Sequence, residues 1–595
     1  MPEAGEILER YYGYRFFKEG QQQVIDSIIA GRDTLGIMPT GGGKSICYQI
    51  PALLLPGTTI VISPLISLMK DQVDALQELG IPATFINSSL DGAEAERRLQ
   101  QARHGSYRLL YIAPERLESQ RFMGMLAALP ISLIAVDEAH CVSHWGHDFR
   151  PSYLAIAPMI GRLRQRPAVA AFTATATPEV RDDIVRLLRL DCPEIYIAGF
   201  DRPNLSLAVV RGENKRDYLR RYVQAHRNQA GIVYAATRRE VDRICASLQQ
   251  QGLAAGRYHA GLSDRERAQN QEQFLYDDIR IMVASNAFGM GIDKSNVRYV
   301  IHYNMPRSIE AYYQEAGRAG RDGDPADCIL LFSPQDVHIQ KFLIEQSPIT
   351  PERQAQEYHR LQLIVDYCHT PSCLRNYILD YFGEQTHGPC DRCGNCQDDR
   401  ELVDATEEAR QIFTCVLSLR ERFGMTLVAA VLRGSTGKKV LQYGLNRLAT
   451  YGALQAMKEK EIVDLINALI AEGYLALSEG QYPLLKLTEK AGLVLQGEER
   501  VQRRARAETP AAAPAAGLLF ERLRALRKEL SRQRQIPPYL VFHDSTLTEM
   551  CRLCPQDREA MLAIKGMGEH KFALYGELFL AEICRYLQER DQAGK

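Results

Sequence analysis

Met38-Pro39-Thr40-Gly41-Gly42-Gly43-Lys44-Ser45 constrains this chain more than any other stretch. An apolar run at 35–38 reads as a strand, and 45–55 reads as a buried helix or its first turns. Strand, glycine-rich loop and helix is the context in which a backbone can wrap phosphate. Without a Cβ in the way, the N–H groups of Gly41, Gly42 and Gly43 can close on phosphate oxygens, and the helix N-terminus adds partial positive charge. Thr40 belongs to the same cradle. The spacing aims Lys44 at the β- and γ-phosphates and the Ser45 hydroxyl at Mg²⁺. The expected ligand is therefore Mg·ATP. Position 38 is methionine where the general phosphate-loop pattern has glycine.

A chain of 595 residues suggests about four domains of ~150 residues each. Hydrophobic content of 46% and charged content of 24% leave enough apolar surface for several cores. No stretch approaches the ~18 apolar residues of a membrane helix. Residues 1–10 are polar and acidic, unlike a signal peptide, so a cytoplasmic protein is expected. Its 14 cysteines should then be reduced, and a cluster of them should mean metal before disulfide. The net charge is −1, so any footprint for nucleic acid must be local.

Upstream of the loop, Tyr14-Arg15-Phe16-Phe17-Lys18-Glu19-Gly20-Gln21 offers candidates for the nucleotide base. An aromatic such as Tyr14 can stack on adenine, and the Gln21 amide can read a donor and an acceptor edge; Lys18 lies between them. Downstream, short apolar runs at 59–62, 109–112, 133–136 and 169–172 suit a buried parallel sheet. The third ends in Asp137-Glu138-Ala139-His140, at the strand tip where an open α/β sheet places its chemistry. Asp137 is expected to complete the Mg²⁺ shell with Ser45, and Glu138 to deprotonate the attacking water. A second set of runs, at 231–235, 279–284, 299–302 and 328–332, has no phosphate loop of its own. ATP should then sit between two lobes, with the second supplying groups in trans. On a helix, Gln314, Arg318 and Arg321 would share one face, and the two guanidiniums could neutralise the transferring γ-phosphoryl.

Between Glu138 and the end of the first lobe lies His144-Trp145-Gly146-His147-Asp148-Phe149-Arg150-Pro151-Ser152-Tyr153. Aromatics beside Arg and His suit base stacking and phosphate contact. Trp145, Phe149 and Tyr153 stand at helical spacing, as a core stripe would, but the polar residues and breakers between them argue against one continuous helix. Further on, Cys390, Cys393 and Cys396 fall within seven residues, a structural zinc signal. Cys373, Cys368, His369 and His387 are the candidates for the fourth ligand. Residues 405–495 read as helices, one of them preceded by Gly437-Lys438-Lys439 and running through Leu448, followed by a hairpin at 475–487 whose turn carries Tyr482. Residues 500–516, basic then rich in Ala and Pro, read as a linker, and 518–587 as helical.

The loop and Asp-Glu-Ala-His resemble those of superfamily-2 helicases, many of which lack the first glycine of the phosphate loop. Residues 63–72 resemble that family's DNA-contacting motif Ia, Thr173-Ala174-Thr175 its motif III, 287–293 its motif V, and 314–323 its motif VI. The aromatic segment narrows the likeness to the RecQ helicases, which it resembles over nearly the whole chain. That resemblance implies an α/β protein with two RecA-like lobes at 1–205 and 206–340. It implies a helical zinc module at 341–400, a winged-helix domain at 401–500, a linker at 501–517 and a helical HRDC domain at 518–595. It selects Cys373 as the fourth zinc ligand and assigns Asp293 to the nucleotide. It makes Trp145, His147, Phe149 and Arg150 the residues that couple DNA to hydrolysis. The implied activity is ATP-dependent, 3′→5′ DNA unwinding in recombination and repair, with Mg²⁺ and one structural Zn²⁺. The implied partners are single-stranded and duplex DNA, with a single-strand-binding protein or other repair proteins as candidates and no membrane.

Overall fold

The computed structural model describes residues 3–593 apart from 40, 88–89, 147, 290–293, 348, 386–387, 399–401, 479–482, 505–517 and 535. Thr40, His147, Asp293, His387 and Tyr482 therefore lie outside the described residues.

Strands buried on both faces can be apolar throughout, and the runs read from the sequence become such strands. The first lobe holds β1 (Thr34–Ile37), β2 (Thr58–Ile62), β3 (Ala83–Ile86), β4 (Leu109–Ile112), β5 (Ile131–Val136), β6 (Ala168–Thr173) and β7 (Glu194–Ile197). They form one parallel sheet in the order β3-β4-β2-β5-β6-β1-β7. The pleat sends alternate side chains into different cores: Ile60 and Ile62 enter one cluster, and Val61 enters another on the opposite face. The second lobe holds β8 (Leu205–Arg211), β9 (Ala230–Tyr234), β10 (Ala255–Tyr258), β11 (Ile281–Ala284), β12 (Val297–His302) and β13 (Ala326–Phe332). Its sheet is again parallel, in the order β10-β11-β9-β12-β13-β8. One apolar cluster runs without a break from Leu35 through the second lobe to Cys393 in the cysteine segment, so these parts pack as a single body.

In the two lobes four strands were not expected from the sequence: β3, β7, β8 and β10. All four are sheet edges. An edge strand is covered less than a central one, and in β7 only Tyr196 is half-buried while Glu194, Ile195 and Ile197 are exposed.

Three expectations are corrected. The helix expected to carry Gln314, Arg318 and Arg321 ends earlier, at Ile309–Ala316, so only Gln314 is helical. Gly317 caps it, and Gly320, at φ +56°, turns the chain the left-handed way. The helix expected to run through Leu448 stops at Lys438–Gln442; Gly444, also left-handed, starts a 3₁₀ turn at Leu445–Arg447. The expected linker begins later than read: β17 (Gln502–Arg504) pairs antiparallel with β14 (Leu402–Asp404), and Val501 is buried in the core of the domain built from 405 onward. In that domain β15 (Leu475–Leu477) and β16 (Leu485–Leu487) form the expected hairpin.

The C-terminal helices have their own core. They meet the second lobe through charge: Lys528 and Arg532, on the helix Leu518–Arg534, pair with Asp278 at 2.7 and 2.6 Å.

Gly231 opens the paired part of β9 under the ring of Tyr299, and a Cβ there would fall 2.0 Å from it. Both residues are buried, so Gly231→Ala should destabilise the protein by ~1–3 kcal/mol, measurable as a lowered thermal midpoint. An unchanged midpoint would show that the ring has room to move.

Candidate functional site

β1 leads into the glycine loop, whose shape rests on two left-handed glycines, Gly41 at φ +84° and Gly43 at φ +80°. Gln21 braces it. The Gln21 Nε2 donates to the carbonyls of Gly42 and Gly43 at 3.2 Å each, and its Oε1 accepts from the Lys18 amide at 2.8 Å. A Cβ on Gly43 would lie 2.3 Å from that Nε2. Lys18 Nζ donates to the Gly41 carbonyl at 2.8 Å. Both edges of the Gln21 amide, expected to face adenine, are thus engaged by the protein. Tyr14 stands 52% exposed, open to stack on a base.

Lys44 begins the helix Lys44–Leu54 and donates from Nζ to the Met38 carbonyl at 3.1 Å. Burial pushes its amine below the ordinary value, the carboxylates of Glu138 and Asp137 oppose that, and Arg321 adds to it. β5 delivers Asp137, whose amide donates to the Ile62 carbonyl at 2.8 Å. Burial, with Glu138 beside it, raises the Asp137 carboxyl to about 7 against the pull of Lys44. Glu138 holds a left-handed backbone, φ +47°, which a non-glycine residue adopts only under constraint from its surroundings. Its Oε2 lies 3.3 Å from Nδ1 of the buried His140, whose ring also meets Thr173 Oγ1 at 2.9 Å. The tip of β6 is thereby tied to Glu138.

The second lobe brings Arg321 against the loop: a Cβ built on Gly41 would lie 3.5 Å from the Arg321 Cα. The turn that bears it is held from the segment between the lobes, a feature the sequence reading missed. Arg202 donates to the carbonyls of Gly317, Ala319 and Gly320, and the Asn204 amide donates to Gly320 and Asp324. The polar turn Asp201-Arg202-Pro203-Asn204 was the available signal. Gln314 and Arg318 line a cleft of about 950 Å³ between the lobes that also receives Phe149 and Arg150. Among the described residues, Nε and Nη1 of Arg318 and Oε2 of Glu138 are buried without a hydrogen-bond partner. Buried polar atoms of this kind mark where a further ligand is accommodated. Unpaired donors on one side and a carboxylate on the other fit a bound triphosphate with its metal and water.

The described residues of the aromatic segment form turns up to Arg150 and then a 3₁₀ helix, Pro151–Ala155, and not one continuous α-helix. Ser143 Oγ donates to Asp183 Oδ2 at 2.7 Å and accepts from the Trp145 amide at 3.0 Å. A Cβ on Gly146 would lie 2.2 Å from the His140 carbonyl. Phe149 stacks on His144 at 3.9 Å, and Trp145 is 49% exposed. Arg150 pairs with Asp148 at 3.1 Å and donates to the Pro64 carbonyl at 3.0 Å, joining the loop to the segment that resembles motif Ia. Tyr153 is core, and its hydroxyl donates to the Asp137 carbonyl at 2.8 Å.

Cys373 precedes the helix Leu374–Tyr381, which returns it to the other three cysteines. The Sγ atoms of Cys373, Cys390, Cys393 and Cys396 all lie within 4.8 Å of one another, with 3.9 Å from Cys373 to Cys393 and 4.0 Å from Cys390 to Cys396. A tetrahedron with Zn–S of about 2.3 Å has edges of about 3.8 Å, so four thiolates here fit a closed structural zinc site. Cys368 and His369 are buried outside the cluster, His369 with Nδ1 on the Val365 carbonyl at 2.9 Å.

A phosphate loop in one parallel-sheet lobe, faced by arginines of a second, defines a nucleotide-driven two-lobe motor. Known families match it in succession: DEAD/DEAH box helicase over 18–184, helicase conserved C-terminal domain over 214–323, RecQ zinc-binding over 334–397, RQC domain over 399–512 and HRDC domain over 517–583. The ATP-dependent DNA helicase RecQ of Bacillus subtilis (strain 168) is 50% identical over 589 residues, covering 99% of each chain. That of Pasteurella multocida (strain Pm70) is 40% identical over 595 residues, 98% of this chain and 94% of its own. The RecQ-like DNA helicase BLM of Xenopus laevis is 32% identical over 636 residues, 99% of this chain and 46% of its own. The chain belongs to the RecQ family of ATP-dependent DNA helicases. Among the described residues no helix is long and apolar enough to cross a membrane.

Elemental analysis of native protein should find one Zn²⁺ per chain. Cys393→Ser should lose it and fold poorly, because binding the metal is part of the folding free energy; a Cys373→Ser protein that kept its metal would remove Cys373 from the site.

Proposed function

We propose that hydrolysis in this helicase is carried by one composite site closed between the lobes. Lys44 and the amides of the glycine loop, with Thr40, bind the phosphates, and Ser45 and Asp137 hold Mg²⁺, which offsets phosphate charge when bound. Glu138 accepts the proton of the water that attacks the γ-phosphorus. Arg321 and Arg318 neutralise charge on the departing phosphoryl oxygens. Tyr14 takes the adenine ring, Lys18 and Gln21 keep the loop in shape, and Gln314 and Asp293 contribute from the second lobe. The observation that carries this reading is the approach of Arg321 to Gly41, a group of one lobe against the phosphate loop of the other.

Single-stranded DNA occupies the side of the cleft that Phe149 and Arg150 line. Bases stack on Trp145 and Phe149, each worth ~1–3 kcal/mol, with His147 and Arg150 toward phosphate. Arg150 and Tyr153 tie that loop to Pro64 and Asp137, so an occupied loop moves the catalytic carboxylates and hydrolysis waits on DNA. The hairpin of β15 and β16 meets duplex at the fork. Movement is 3′→5′, and the protein works in the cytoplasm.

Glu138→Gln should bind ATP yet hydrolyse it poorly, since an amide cannot take the proton, and Lys44→Ala should lose nucleotide binding or turnover. Arg321→Ala should bind ATP and lose turnover by about 10³-fold; near-normal turnover would exclude it from the site. Phe149→Ala should keep its melting temperature and lose stimulation of ATPase by single strands; an unchanged ratio with and without DNA would reject the coupling role. Strand displacement should require a 3′ tail, and equal unwinding from a 5′ tail would overturn the polarity.

A further inference from the structure

The aromatic loop is gripped from outside the first lobe. Arg353, Glu357 and Arg360 share one face of the helix Pro351–His369, at i, i+4 and i+7. Arg353 donates to the carbonyls of His144 and Gly146, the latter at 3.0 Å. Arg360 donates to the carbonyls of Trp145 and Gly146, the latter at 3.4 Å. Glu357 pairs with Arg353 at 2.7 Å and with Arg360 at 3.2 Å. Arg360 also lies 3.7 Å from Glu310, on the second-lobe helix that bears Gln314. Glu310 in turn accepts from the Tyr381 hydroxyl at 2.8 Å, and Tyr381 closes the helix that starts at Cys373. Arg360, Glu357 and Glu310 are all buried.

We propose that Arg353 and Arg360 are positioning residues. They hold the aromatic loop by its main chain, at the junction of both lobes and the zinc module, in the one path that transmits DNA occupancy to Glu138. Their targets are consecutive carbonyls, so the grip fixes the loop's backbone and leaves the Trp145 ring outside. A guanidinium presents its donors to two carbonyls in a fixed planar fork, whereas an ammonium is a compact point charge on a flexible stem. The zinc module thereby acts in coupling as well as in folding. The inference rests on reading this loop as the DNA sensor.

Two variants separate the grip from simple stability. Arg360→Lys keeps the charge and loses the fork. Arg360→Met with Glu310→Gln removes both charges of one pair and leaves Arg353 and Glu357 together. The full chain is assayed for zinc content, melting temperature, ATPase alone and ATPase with an oligothymidine single strand, beside Phe149→Ala. Both variants should match wild type in zinc, melting temperature and unstimulated ATPase, and show stimulation by DNA reduced roughly tenfold. Unchanged stimulation in both, with stimulation lost in Phe149→Ala, would overturn the grip alone. Stimulation lost only together with zinc or melting temperature would reduce these arginines to structural supports. Unchanged stimulation in Phe149→Ala would overturn the reading of the loop, and the grip with it.

Discussion

The motor depends on charges that burial makes costly. Lys44, Asp137 and Glu138 meet half-buried at the mouth of the glycine loop, where desolvation pushes the lysine amine down and the Asp137 carboxyl up to about 7. A buried charge without a full set of partners is expensive. Here the arginines of the second lobe add positive charge to the same place, and Arg318 keeps two donors without partners among the described residues. Charges of both lobes therefore enter one electrostatic balance around Lys44.

Main-chain contacts hold that balance in place. Arg202 and Asn204, between the lobes, donate to the carbonyls of the turn that carries Arg318 and Arg321. Arg353 and Arg360 do the same for the aromatic loop. In both cases side chains of one element define the backbone of another, so the turns need no regular secondary structure of their own. Such junctions can rearrange as units when the lobes part, which is how a small change at a phosphate becomes a movement of a domain.

The appended domains are attached by different physics. The zinc module shares the apolar core of the lobes, whereas the hairpin domain and the C-terminal helices have separate cores. The C-terminal helices meet the second lobe through ions. Burial would raise the Asp277 carboxyl, but Lys294, Arg524 and Arg527 hold it well below the usual carboxylate range. Arg524 and Arg527 reach it from the C-terminal helices at 3.9 and 3.7 Å, so the contact includes buried charges that salt screens less than the exposed pair at Asp278.

Much of this was legible in the residues. The glycine loop, the Asp137 and Glu138 pair and the cysteine triplet each carry their chemistry within a few consecutive positions, and the central strands are apolar because both of their faces are covered. What the chain alone left open concerns partners distant in sequence. The edge strands β3, β7, β8 and β10 are specified by a neighbour and not by an apolar run. From the residues, Cys373 was one of four candidates; the Leu374–Tyr381 helix decides it by folding it back. Arg318 and Arg321 left the expected helix because Gly317 ends it and Asn204 fills the space a Cβ would need at Gly320. Gln21 also braces the loop, a contact the residues did not announce, because folding brings the glycine carbonyls within its reach. Sequence by itself determined which chemical groups were present and which were locally paired; only the tertiary structure decided which lobe each group faces, because burial and long-range carbonyl contacts are set by packing between elements.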